Sequence, residues 1–346
     1  MLALTDECAP RTGETNMSAR GDSCSTKYRP RHPRSGRQRV RRELLTAVVA
    51  IVARKRQSTP RYVYGAVPLS GDAEASFSCH NCHNRLNPKR EWTRGMIDRI
   101  PTGEDTARMQ RDGYLVVREF LDAREVAGLL DWTTELEQAP EVSGRHWVYR
   151  EDSVTTPGRR VVQRIENFCP YHPGLDRFIR HGALARWTGA LMGGPVALFK
   201  DKINFKMPGG AGFKAHQDQQ AGWSTYAPLF VTAMVTLDAA TLENGCLEIA
   251  PGRHREGLIG QQWVPLEEQG LSLEAVPTAP GDVIFFDSYV PHASKPNLTG
   301  SPRRILYITY NLASEGDYRE RYFADKHASF PPDIDRDREK TYVFRV

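Results

Sequence analysis

Pro280-Gly281-Asp282-Val283-Ile284-Phe285-Phe286 reads as a tight turn opening a buried strand, and Pro291-His292 follows soon after. A short apolar run bounded by turn residues fits a strand inside a sheet. The same pattern recurs on either side of it. Strands are expected over residues 197–207, 229–237, 246–250, 283–286 and 304–310, separated by turns such as Pro208-Gly209-Gly210 and Pro251-Gly252. Helical signals come earlier. Met109-Gln110-Arg111-Asp112-Gly113 closes a short helix, with a strand over 114–119 behind it. Asp122-Ala123-Arg124-Glu125 is a capping-box start, and Val126, Leu129, Leu130 and Leu136 form one apolar stripe beyond it. A single helix is expected over 175–192. Helices first and strands after point to a mostly β fold with flanking helices, a barrel or jelly roll.

His216-Gln217-Asp218 gives that fold a chemistry. Residues i and i+2 of an extended segment project to the same side, so one imidazole and one carboxylate can share an ion. His292 is the candidate for a second imidazole. Two His and one carboxylate on one face leave coordination positions open, as in the facial triad of non-haem Fe(II) oxygenases. His-x-Asp alone is a weak signal. Arg303, eleven residues beyond His292, begins an apolar strand. Its guanidinium could clamp a carboxylate through two parallel hydrogen bonds, or equally serve a salt bridge at a barrel rim.

Taken together these residues carry a resemblance. His216-Gln217-Asp218, Asn244-Gly245-Cys246-Leu247-Glu248-Ile249-Ala250-Pro251-Gly252-Arg253-His254, Pro280-Gly281-Asp282, His292-Ala293-Ser294 and Arg303 resemble the phytanoyl-CoA dioxygenase family, over roughly residues 103–320. The resemblance implies a double-stranded β-helix (jelly-roll, cupin-like) core that holds Fe(II) and uses 2-oxoglutarate and O2. Residue by residue, it implies that His216, Asp218 and His292 bind iron. It implies that Arg303 anchors the distal carboxylate of 2-oxoglutarate, helped by Ser294, and that Asn204 contacts the cosubstrate. Asp218 favours hydroxylation over halogenation, because halogenating relatives have a small residue there. His254 and Asp282 read as structural turn residues. Arg304 should point away from Arg303, since neighbouring strand residues face opposite sides.

Within that family the C-terminal half is similar to the branch that hydroxylates 2-aminoethylphosphonate. The matching stretches are Phe286-Asp287-Ser288-Tyr289-Val290-Pro291-His292-Ala293-Ser294-Lys295-Pro296-Asn297 and Tyr322-Phe323-Ala324-Asp325-Lys326-His327-Ala328-Ser329-Phe330-Pro331-Pro332. This implies hydroxylation of a small polar substrate at the carbon beside phosphorus, giving 2-amino-1-hydroxyethylphosphonate in phosphonate catabolism. The residues allow a check. Over 199–206 Phe199, Ile203 and Phe205 alternate with Lys200, Lys202, Asn204 and Lys206, interrupted only by Asp201. If Asn204 faces the interior, Lys202 and Lys200 should too, and an interior ammonium needs an anionic partner; the alternative is a pair of rim lysines. Gln163 and Arg164 are candidates for the pocket mouth. Trp223 and Tyr226 are candidates for a lid or substrate wall, or are simply packed. Rival readings are a family hydroxylase for a betaine-like or acyl substrate, and a non-catalytic metal- or nucleic-acid-binding protein.

Size and charge bound what the chain can be. The chain has 346 residues, 40% hydrophobic and 26% charged, enough for a sizeable core. The first 61 residues hold 14 Lys and Arg against 5 Asp and Glu, a net +9, so the remainder carries −4 of the total +5. The basic character therefore belongs to an N-terminal segment, and nucleic acid is not an expected partner of the enzyme. Residues 1–95 read as a disordered basic extension, and 96–346 as the oxygenase domain. Arg41-Arg42-Glu43 before the apolar run 44–53 resembles a targeting signal placed too late. An upstream extension of the reading frame, with initiation at Met96, accounts for it equally well. Cys79-His80-Asn81-Cys82-His83 formally matches a haem-attachment pattern and reads as chance. Cys169 and Cys246 read as small core residues. No disulfide framework and no apolar run of membrane-spanning length is present. A reducing compartment, the cytoplasm, and a small-molecule substrate fit; oligomeric state is not legible.

Overall fold

The computed structural model describes residues 100–268 and 270–342. The N-terminal extension, its apolar run, Met96 and the Cys-x-x-Cys-His pattern lie outside the described residues. Helix α1 (Gly103–Asp112) and strand β1 (Tyr114–Val117) come first. Helix α2 (Ala123–Gln138) follows, then β2 (Trp147–Asp152), β3 (Arg160–Glu166), α3 (Pro173–His181) and α4 (Ala183–Met192). The strand-rich half holds β4 (Val196–Asn204), β5 (Phe213–His216), β6 (Val231–Thr236), β7 (Leu247–Ile249), β8 (Glu274–Val276), β9 (Val283–Asp287), β10 (His292–Ser294) and β11 (Ile305–Leu312). Helix α5 (Arg319–Ser329) comes last.

The local signals explain these boundaries. Asp122 accepts from the backbone N–H groups of Arg124 and Glu125, while Glu125 accepts from that of Asp122, as the capping box requires. Helix α1 stops at Gly113, whose φ of 79° suits glycine. A Cβ there would also fall 2.4 Å from the His254 ring, so the stop doubles as a packing site for the turn after β7. The expected single helix over 175–192 is two. Gly182 is extended, with φ −89° and ψ −170°, and it serves as the N-cap of α4. Apolar spacing runs through this break, which is why periodicity alone joins the halves. The strand after α1 is also shorter than expected, because Glu119 takes a positive φ of 51°.

The strands form two antiparallel sheets. The larger has the order β1-β9-β6-β11-β4-β3-β2 and the smaller β5-β10-β7-β8. This is the double-stranded β-helix expected, with helices flanking it. The main core contains Phe120, Trp187, Leu198, Ile203, Phe205, Phe285 and Leu306. It lies on the face of β4 that carries Ile203. Asp201 is fully buried yet satisfied: it accepts from the N–H groups of Phe168 and Cys169 and pairs with Arg319. Cys169, in a 3-10 turn, and Cys246 are buried free thiols as expected. No helix among the described residues is long and apolar enough to cross a membrane.

Candidate active site

Strand pairing brings the two halves of the metal constellation together. His216 ends β5 and pairs directly with His292 at the start of β10. Asp218 begins the 3-10 turn after β5, two residues on. Ligand atoms of His216, Asp218 and His292 all lie within 4.8 Å of one another, and the two imidazole rings are 4.3 Å apart between centroids. Each imidazole uses Nδ1 against a carbonyl, His216 toward Lys214 at 2.7 Å and His292 toward Val290 at 3.1 Å. A carbonyl only accepts, so each Nδ1 carries the proton and each Nε2 is left with its lone pair. Burial, then the other imidazole, pushes the His216 pKa down to about 3; burial lowers His292 as well. Both rings therefore offer neutral nitrogen donors at ordinary pH. Burial works against the Asp218 carboxylate, but the His rings and the lysines Lys202 and Lys200 outweigh it and hold its pKa low. Two neutral nitrogens and one carboxylate on one face fit a divalent ion with open positions.

The cavity over this face is lined by Lys200, Lys202, Asn204, Trp223, Ser294 and Tyr307 among others. Beside it lies Arg303, with 0% exposure and no hydrogen-bond partner on any of its three side-chain nitrogens. The Tyr307 phenol stands next to both Arg303 and Asn204. An orphaned buried guanidinium is costly and calls for a carboxylate. Arg304, one residue on, faces the other way and forms a bidentate pair with Asp238 at 2.8 and 3.0 Å. The residues thus fit a ferrous ion and a dicarboxylate cosubstrate.

The pattern of agreement is uneven among the other candidates. Ser294 lines the cavity, and its hydroxyl accepts from Lys206 Nζ at 2.8 Å, leaving its own proton to donate. Lys206 departs from the alternation that groups it with Lys200 and Lys202. It is buried beneath Ser294, also donates to the Gly245 carbonyl at 3.2 Å, and its own carbonyl receives the Arg303 N–H. Burial and the Arg303 charge push its pKa down to about 6. Glycine at 245 is required: a Cβ there would fall 2.0 Å from the Lys295 carbonyl. Gln163 and Arg164 line a larger adjoining cavity of about 340 Å³ that shares Lys200, Lys202, His216, Asp218 and Trp223. Tyr226 lines neither cavity; its hydroxyl donates to Asp325 at 2.7 Å within an aromatic cluster with Phe199 and Tyr322. His254 and Asp282 are turn residues as expected, Asp282 accepting from Arg118, Glu119 and Ala279.

A charge cluster in the cavity wall was not legible in the sequence. Glu166, fully buried, pairs with Arg164 at 2.9 Å, Lys200 at 3.9 Å and Lys326. These cations outweigh the burial penalty and hold the Glu166 pKa well below its usual value.

The sequence profile described as phytanoyl-CoA dioxygenase (PhyH) matches residues 109–305. The chain belongs to the phytanoyl-CoA dioxygenase family. It is 38% identical over 255 residues to a 2-aminoethylphosphonate dioxygenase of an uncultured bacterium, covering 70% of this chain and 93% of the relative. It is 39% identical over 238 residues to a methylphosphonate hydroxylase of Gimesia maris, covering 66% and 88%. Among solved structures it resembles EctD from S. alaskensis with 2-oxoglutarate and 5-hydroxyectoine, at a TM-score of 0.54 and 27% identity over 67% of this chain and 83% of that one. As a phytanoyl-CoA dioxygenase family member the protein is a 2-oxoglutarate-dependent dioxygenase that works with Fe(II) on a small molecule.

Proposed function

We propose that this dioxygenase hydroxylates a small phosphonate at the carbon beside phosphorus, with 2-aminoethylphosphonate the substrate and 2-amino-1-hydroxyethylphosphonate the product. In this reading His216, Asp218 and His292 hold the iron. Arg303 receives the far carboxylate of 2-oxoglutarate, Ser294 donates to it, and Asn204 contacts the cosubstrate. Bound iron supplies the coupling of 2-oxoglutarate decarboxylation to oxygen insertion. The chain's own residues supply orientation and a site closed to water. Residues 96–346 carry this activity.

One observation carries the substrate assignment. Arg164, Lys200 and Lys202 line the cavity, and Glu166 in its wall is already paired with Arg164, Lys200 and Lys326. Lys202 lines both cavities beside the proposed metal ligands and forms no ion pair among the described residues. Burial and then the neighbouring Lys200 push its pKa down to about 7. Buried cations in excess call for an anion, and a phosphonate dianion fits better than a neutral or cationic substrate. The likeness to two phosphonate-oxidising enzymes points the same way.

The test is substrate-triggered succinate formation by the purified chain with Fe(II) and 2-oxoglutarate. The panel is 2-aminoethylphosphonate, methylphosphonate, a betaine and an acyl compound, with phosphorus NMR of the products. Turnover of the betaine or acyl compound alone would overturn the phosphonate assignment. Lys202→Met is expected to raise the KM for the phosphonate roughly 10- to 100-fold, the worth of a hydrogen bond to a charged group. The 2-oxoglutarate requirement should move little. Steady-state rates against each compound separate the two effects.

A further inference from the structure

A phosphonate and an aminophosphonate differ at one end, and the larger cavity has a feature suited to that end. Three carboxylates line it: Asp218, Glu166 and Glu151. Asp218 belongs to the metal constellation. The charge of Glu166 is met by three cations. Glu151, on β2, is half-buried and forms no ion pair among the described residues. Its two oxygens accept only from neutral donors, Oε2 from the Gln163 side-chain amide at 2.7 Å and Oε1 from the Ala211 backbone N–H at 3.1 Å. These contacts fix the carboxylate and leave its charge standing. Each oxygen also keeps a lone pair free. Arg164 and Lys206 act on it only at longer range, and burial outweighs them and raises its pKa. Ala211 lies in the segment that leads into β5 and His216, so the carboxylate is tied to the segment that delivers a metal ligand.

We propose that Glu151 receives the ammonium group of the substrate and so selects an aminoalkylphosphonate over a plain alkylphosphonate. Lys200 and Lys202 line the cavity over the metal face as well as the larger one, whereas Glu151 lines only the larger one. The two lysines then meet the phosphonate, and Glu151 meets the ammonium. A zwitterion fits in one orientation only, because reversal would set like charges together. Orientation matters here, since it decides which carbon of the substrate lies over the metal face. This inference rests on the phosphonate reading above.

The test compares 2-aminoethylphosphonate with ethylphosphonate, which lacks only the amine. The wild-type chain is expected to prefer the amino compound. Glu151→Gln keeps an acceptor for Gln163 and removes the charge. It should lower kcat/KM for 2-aminoethylphosphonate about 10- to 100-fold while ethylphosphonate changes by less than about threefold. Glu151→Asp keeps the charge on a shorter arm and should retain the preference at a higher KM, which supplies the readout if the glutamine variant fails to fold. Equal losses on both compounds, or no loss on either, would overturn the role of Glu151 and leave the phosphonate reading standing. If the wild-type chain oxidises neither compound, the phosphonate reading falls and the inference with it.

Discussion

Replacing Asp218 with alanine is expected to abolish substrate-triggered succinate formation. Asp218 is the only carboxylate in the constellation, and its ligand atom lies within 4.8 Å of those of His216 and His292. Two neutral imidazoles remain in the variant. They supply no negative charge to a hard divalent cation, and Lys202 and Lys200 stand close enough to repel it. Loss of groups that merely orient metal ligands costs 10- to 100-fold in affinity or activity. Removing a ligand should exceed that, so the rate should fall by at least about a hundredfold. The fold should survive. The carboxylate accepts one weak hydrogen bond from the Thr232 hydroxyl, at 3.4 Å, and stands 3.9 Å from His216 Nε2, while the turn itself is closed by the reciprocal capping of Gln217 and Gln220. Anaerobic Fe(II) dialysis and thermal melting separate the outcomes. A variant that melts normally and still binds iron and turns over would remove Asp218 from the site.

How much of this was legible in the sequence depends on the range of the interaction. The face of β4 could be read because strand alternation is local. Ile203 goes to the main core while Lys200, Lys202 and Asn204 line the cavity, as period two demands, but a register shift at Phe199 breaks the alternation and sends that ring into the aromatic cluster with Trp223 and Tyr322. The capping box at Asp122 is local too. Strand β10 is three residues long, too short for any periodic signal, yet it carries His292. Only the motif identified that residue. The Glu166 cluster draws Arg164 from β3, Lys200 from β4 and Lys326 from α5, and nothing in a linear chain announces such a meeting. Glu151 was missed for a similar reason. It lies in the polar half of Trp147–Asp152, and only the packing of the segment before β5 against it makes that polarity part of a cavity. Tyr226 was a candidate by proximity to the His-x-Asp motif, but its ring is claimed by Phe199 and Tyr322.

Arg303→Met should separate cosubstrate binding from stability. The Arg303 guanidinium is fully buried beside the Tyr307 phenol, with no carboxylate partner among the described residues. A buried unpaired charge opposes folding, and an apolar side chain of similar length often replaces it without loss or with a gain. The variant is therefore expected to melt no lower than the parent when 2-oxoglutarate is absent. Lys206 should benefit as well, since Arg303 is the second cause, after burial, of its lowered pKa of about 6. Adding Fe(II) and 2-oxoglutarate should reverse the order. A ligand that binds only the folded state raises the melting temperature in proportion to its affinity. Truncating one partner of a buried charge pair costs about 2–5 kcal/mol, roughly 30-fold to several thousand-fold in affinity. The parent should gain stability from 2-oxoglutarate and the variant almost none, with the KM for 2-oxoglutarate rising by at least about thirtyfold. A variant that melts early and keeps its KM would mean that Arg303 serves the barrel and not the cosubstrate. On the proposed reading, the cost of burying Arg303 and the affinity for the cosubstrate have one physical source, a buried charge that a carboxylate can satisfy.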